Sequence, residues 1–173
     1  MTLYVAIISF VGVLVSAFVA YITSVVVQRN NFKFDYYKTV LNKRIEAYQY
    51  IDTQLMLLRA IAINEDNKPY HIIFDGNGKS FFEFQDKLSQ AAVRSIWFSE
   101  DMVKAASKMS ELFLEISDYI SGDANNNILI GKQYFDKIKK AQREVSKILV
   151  KDTGNLHDIK GFLKAKRKAY RNN

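Results

Sequence analysis

Twenty-five consecutive residues, Leu3–Val27, carry no charged side chain and no proline. As a helix rising 1.5 Å per residue, such a run reaches about 37 Å, more than the ~30 Å hydrocarbon core of a bilayer. The feature predicts a membrane-spanning helix over residues 1–28. A buried core helix of a soluble protein seldom needs that length. A cleaved signal peptide would open on basic residues, carry a shorter apolar run and close on an A-x-A site; residues 1–28 show none of these.

The flanks set an expected orientation. Nothing basic precedes the run, whereas Arg29, Lys33, Lys38, Lys43 and Arg44 follow it. Basic residues are retained on the cytoplasmic side, so the expectation is a single-pass protein of the cell inner membrane with its N-terminus outside and its C-terminus cytoplasmic.

Gly12, Ser16 and Ala20 recur one turn apart, a small-xxx-small series that lets backbones approach in lipid and predicts a homo-oligomer. Past the run, Phe34, Tyr37, Leu41, Tyr48, Ile51, Leu55, Leu58 and Ala62 fall on alternating steps of three and four, broken only at Arg44. This is a heptad pattern and predicts a coiled-coil seam over residues 34–62. Stepped backward, the register passes through Asn30, Val27, Thr23, Ala20, Ser16, Val13, Ser9 and Ala6. Ser9, Gly12, Ser16, Ala20 and Thr23 are therefore the candidate packing or pore face. Two readings follow: copies pack around the stripe and its hydroxyls line a pathway, or each hydroxyl bonds back to a carbonyl of its own helix.

The net charge of +7 suggests nucleic-acid binding until it is partitioned. Residues 1–159 hold 19 basic against 18 acidic side chains, and the other six basics, Lys160, Lys164, Lys166, Arg167, Lys168 and Arg171, lie in the last fourteen residues with no acid among them. The body is almost neutral and the tail strongly basic. Residues 159–173 read as a basic amphipathic segment, with Ile159, Phe162, Leu163 and Tyr170 opposite Lys160, Lys164, Arg167, Lys168 and Arg171, suited to anionic lipid or to nucleic acid.

Between these ends, residues 29–158 read as a cytosolic helical bundle, giving an all-α chain in which a single N-terminal transmembrane helix continues into the bundle. One proline and seven glycines over 173 residues favour helix. Residues 64–80 gather Asn, Asp, Pro and Gly around Tyr70–Phe74 and predict a long loop with a short strand or turn. Helices are expected over 81–96, over 99–120 with Ser99 as N-cap, and over about 131–151; residues 122–127 are expected to be a loop, and a last short helix to start near Leu156. Phe81, Phe82, Phe84, Trp97 and Phe98 are expected to pack the core.

Motifs that would carry chemistry fail on spacing. Gly78-Lys79-Ser80 lacks the first glycine of a phosphate loop, whose place is taken by Ile73. Asp75, Asn77 and Glu83 miss the alternation of a calcium loop. His71 and His157 stand far apart without a helical metal motif, and zero cysteines exclude thiolate ligands and disulfides. Glu111, Glu115 and Asp118 share a helix face but read as solvated. No cofactor, no metal and no enzymatic activity are expected.

With Ser9, Gly12, Ser16 and Ala20 on an uncharged outward-starting span joined through Arg29 and Lys33 to a small helical domain, the chain resembles in architecture the small membrane-anchored effectors of bacterial anti-phage defence systems. The resemblance implies an abortive-infection effector in which a cytosolic region, answering to a protein or nucleoprotein trigger, governs a helix that permeabilises the membrane. The other reading is a constitutive membrane-anchored adaptor that recruits a cytosolic protein or nucleic acid.

Overall fold

A computed structural model describes residues 2–172; the side chains of residues 2, 3, 5, 6, 170 and 172 lie outside that description, among them Ala6 and Tyr170 of the faces expected above. The chain forms two compact units, Met1–Val40 and Leu41–Asn173. Helix α1 (Thr2–Leu57) supplies the first and enters the second. Gly12 is its one glycine and it contains no proline, so nothing in the local sequence interrupts it, Asn30 and Asn31 included.

In the first unit the described side chains from Ile7 to Tyr36 are exposed, Val, Ile and Phe among them. This part of α1 is long and apolar enough to cross a membrane.

In the second unit the end of α1 leads to a hairpin of β1 (Ile61–Ile63) and β2 (Pro69–His71), antiparallel with Ala62 opposite Tyr70. A 3-10 turn (Ile72–Phe74) follows, then α2 (Lys79–Val93), α3 (Glu100–Ser117), α4 (Ala124–Thr153) and α5 (Ile159–Asn172). The chain is thus all-α in outline. The hairpin falls where a short strand or turn was expected, but its first strand takes Ala62 out of the predicted helical seam.

The seam itself is corrected in its partner. Tyr48, Ile51, Leu55 and Leu58 are each 3% exposed or less and pack into the core of their own unit, while Phe34, at the start of the series, is 74% exposed. A seam consumed by its own bundle is not available for a coiled coil with a second copy. The physical reason is that α2, α3 and α4 each present an apolar stripe that needs a cover, and the stripe of α1 joins theirs in one core.

Aromatic rings fill the centre. Phe81 and Phe84 pack on Phe113 with centroids 5.7 and 4.8 Å apart, and Phe74 lies 5.3 Å from Phe81. Each such buried side chain contributes roughly 1.5–3 kcal/mol relative to exposure. Of the five aromatics expected in the core, Phe81, Phe84 and Phe98 are buried, Trp97 is half-buried, and Phe82 is 46% exposed because its place on α2 turns it outward. Gly131 has no side chain for a reason of space: a Cβ there would stand 2.8 Å from Phe74 Cγ.

Helix starts follow their caps. Ser99 Oγ accepts the Met102 N–H (3.1 Å), as expected. Helix α4 begins seven residues earlier than predicted, because Asp123 caps it by accepting the Asn125 N–H (3.0 Å) and the asparagine run is helical. Asn127 is fully buried. Its amide donates to the carbonyls of Gly76 (3.0 Å) and Ser121 (2.9 Å) and its oxygen accepts the Ser121 N–H (2.9 Å), tying α4 to the loops before α2 and after α3.

Candidate functional site

Two features stand out, one in each unit. In the first, Ser9, Gly12, Ser16, Ala20 and Thr23 are all exposed on α1. Ser16 Oγ donates to the Gly12 carbonyl and Thr23 Oγ1 to the Val19 carbonyl, both at 2.8 Å. The protons of these two hydroxyls are thus satisfied within the helix, and their oxygen lone pairs remain as acceptors. No atom comes within 4 Å of a Cβ built at Gly12, so the backbone there is open to a close neighbour. Of the flanking basics, Arg29, Lys33, Lys38 and Lys43 are exposed. Lys43 pairs with Glu46 at 2.8 Å, a surface contact worth little.

Arg44 differs from the other four. It is 4% exposed and belongs to the bundle: Nη1 donates to the Leu156 carbonyl (2.9 Å) and the guanidinium lies 4.2 Å from the centroid of Phe162. It lines a cleft of about 370 Å³, together with Phe98, Ser99, Glu100 and Asp101 at the start of α3, Lys151, Asp152 and Asn155 at the end of α4, and Phe162, Lys166 and Lys168 of α5.

The wall of this cleft is a closed hydrogen-bond network. Tyr48 Oη donates to Asp152 Oδ2 (2.6 Å), Ser99 Oγ donates to the same oxygen (2.5 Å), and Tyr48 Oη accepts the Ser99 N–H (3.0 Å). Burial, and next the bond to the Asp152 carboxylate, push the Tyr48 phenol up to about 12. Tyr48 also meets Phe98 edge to face, centroids 5.2 Å apart. One carboxylate therefore ties α1, α3 and α4 together.

The basic tail is ordered as α5 within the same unit. Ile159 is buried, Phe162 and Leu163 are half-buried, and Lys160, Lys164, Arg167, Lys168 and Arg171 are exposed. Lys166, the remaining cation of the tail, lies apart from that row. It is half-buried, donates to the Ser95 carbonyl (3.3 Å), and desolvation holds its ammonium below the usual lysine range. The reason is periodicity: positions 159, 162 and 166 form the stripe on which α5 sits, and a long lysine stem can cover apolar surface while its head reaches outward.

No protein-family model, no curated protein and no solved structure matches this chain.

Among the described residues no group of three or more His, Asp or Glu side chains is placed to hold a metal ion. His71 is buried, its Nδ1 2.6 Å from the Leu58 carbonyl and its ring stacked on Phe135 (centroids 4.9 Å apart); burial holds its pKa below the ordinary value. Its surroundings identify it as a core residue bracing the hairpin. His157 is exposed. Glu115, from the acidic face of α3, accepts the Tyr134 hydroxyl (3.0 Å) and faces Lys137 (3.9 Å), which makes it an anchor for α4.

The sequence reading missed the cleft and its network. One signal for it existed: Arg44 is the single break in the apolar series, and a charge inside a buried stripe has to meet a partner. Nothing local marks Asp152, which lies one residue before the end of α4.

Proposed function

We propose that this is a single-pass inner-membrane protein, N-terminus outside and C-terminus cytoplasmic, that self-associates through Ser9, Gly12, Ser16, Ala20 and Thr23 and acts as a membrane-perturbing effector of the abortive-infection, antiviral type under control of its helical domain. The carrying observation is the apolar surface of α1, uncharged from Leu3 to Val27 and exposed at every described position. Water does not tolerate an apolar surface of that length, and a bilayer or further copies are its natural cover. The small residues at Gly12, Ser16 and Ala20 favour helix-to-helix packing once in lipid. The bundle consumes Tyr48, Ile51, Leu55 and Leu58, so association is assigned to the apolar segment.

Control requires a domain with two states that hold the apolar segment differently. The helical domain offers α5, whose exposed row of Lys160, Lys164, Arg167, Lys168 and Arg171 suits an anionic cytoplasmic leaflet. The same row supports the second reading, an anchored adaptor recruiting a cytosolic protein or nucleic acid.

The test is membrane potential, followed with a potential-sensitive dye in bacterial cells expressing the full chain or its Ser9→Leu/Ser16→Leu/Thr23→Leu variant at matched levels. Depolarisation by the full chain and its loss in the variant supports the effector. Activity retained when the apolar segment is exchanged for an unrelated one overturns it and favours the adaptor.

A further inference from the structure

Arg44 is a buried guanidinium without a carboxylate partner. None of the ion pairs in the described structure includes it, and its Nε–H is buried with no acceptor at all. Buried polar groups are nearly always paired, and a charged one left open costs more than a neutral one. Yet the group is held firmly, with Nη1 on the Leu156 carbonyl and its face against Phe162. A guanidinium fixed in this way and lining a cleft is suited to a carboxylate or phosphate.

The acids that line the same cleft do not answer it. Asp101 pairs with Lys151 (3.0 Å), Asp152 is taken by Tyr48 and Ser99, and Asp158 accepts the Gly161 N–H (2.9 Å) at the start of α5. Glu100, exposed, is the fourth acid of the lining, which balances Arg44, Lys151, Lys166 and Lys168 in number, yet no ion pair among the described residues includes Arg44. The volume, about 370 Å³, falls in the range of small-molecule sites, and Phe98 and Phe162 give it apolar walls.

We propose that this cleft binds a small molecule bearing a carboxylate or phosphate on a flat apolar body, with Arg44 and Lys168 on the anion and Phe98 and Phe162 against the body. Because α5 contributes Phe162, Lys166 and Lys168, occupancy holds α5 on the bundle and regulates how much of its basic row is free. This regulatory consequence rests on the effector reading; the binding itself does not.

The test uses the full chain in detergent micelles and ligand-detected NMR titration with four probes: phenyl phosphate, benzoate, inorganic phosphate and phenol. The first two separate phosphate from carboxylate; the last two isolate the anion and the ring. For fragments of this size the expected Kd is roughly millimolar. Binding of phenyl phosphate or benzoate at least tenfold tighter than of inorganic phosphate and phenol, weakened about tenfold by Arg44→Lys and several-fold by Lys168→Glu, supports the site. Lys168 is exposed, so Lys168→Glu carries the test if Arg44→Lys fails to fold. Absence of binding by all four probes, or binding that neither variant weakens, overturns it. Binding is read without reference to depolarisation, so the cleft stands or falls on the titration alone, and the effector on the exchange of the apolar segment described above.

Discussion

Removing the Asp152 carboxylate unties three helices at once. Its Oδ2 accepts from Tyr48 and from Ser99 at 2.6 and 2.5 Å, and Tyr48 is 3% exposed. Hydrogen bonds to a charged acceptor contribute roughly 1.5–3 kcal/mol each, and a buried hydroxyl left without an acceptor costs about 1–3 kcal/mol. Asp152→Ala is therefore expected to cost about 3–5 kcal/mol, with the Tyr48 hydroxyl accounting for much of it. Asp152→Asn keeps an acceptor oxygen in place at about half the strength, and about 1.5–3 kcal/mol is expected. For a domain of this size class each kcal/mol moves Tm by roughly 3–5 °C, so Asp152→Ala lowers Tm by roughly 10–20 °C. Trp97 is the one tryptophan and lies two residues before Ser99. Its fluorescence on heating reports the helical domain without signal from the apolar segment of α1. Adding Tyr48→Phe to Asp152→Ala deletes the orphaned hydroxyl, and the cycle should show at least about 1 kcal/mol of coupling. The reasoning is refuted if Asp152→Ala shifts Tm by less than a few degrees and the two substitutions add independently.

Three further outcomes follow from the packing and the titrating groups. Gly131→Val drives a branched side chain into Phe74, already 2.8 Å from a bare Cβ, and should cost about 1–3 kcal/mol by urea denaturation, whereas the same substitution at Gly122, with nothing within 4 Å, should be near neutral. His71 is held neutral by burial, so its contribution is present above its ordinary pKa of 6.5 and is lost as pH falls below it; His71→Gln should flatten that acid limb in a Tm-against-pH profile. Tyr48 has its folded pKa raised, so its contribution is complete below the ordinary 10.0 and is lost as pH climbs to about 12, a limb that Tyr48→Phe should remove.

The helical character, most of the helix positions and the apolar run at the N-terminus are legible in the sequence because they depend on local properties: the absence of charge from Leu3 to Val27, the scarcity of proline and glycine, and the 3.6-residue spacing of apolar side chains. Caps are local too: Ser99 caps α3 as its sequence predicts, whereas at α4 the loop-favouring asparagine run hides a helix that Asp123 already caps. What covers an apolar stripe is a different kind of question. Tyr48, Ile51, Leu55 and Leu58 have the spacing of a coiled-coil seam, and the same spacing serves a bundle helix; only the fold shows that their own chain reaches them first. The cleft is further out of reach, since Arg44 meets Leu156 and Phe162 more than 100 positions away and Tyr48 meets Asp152 likewise. Contacts at that separation arise from how helices stack, not from the pattern along any one of them.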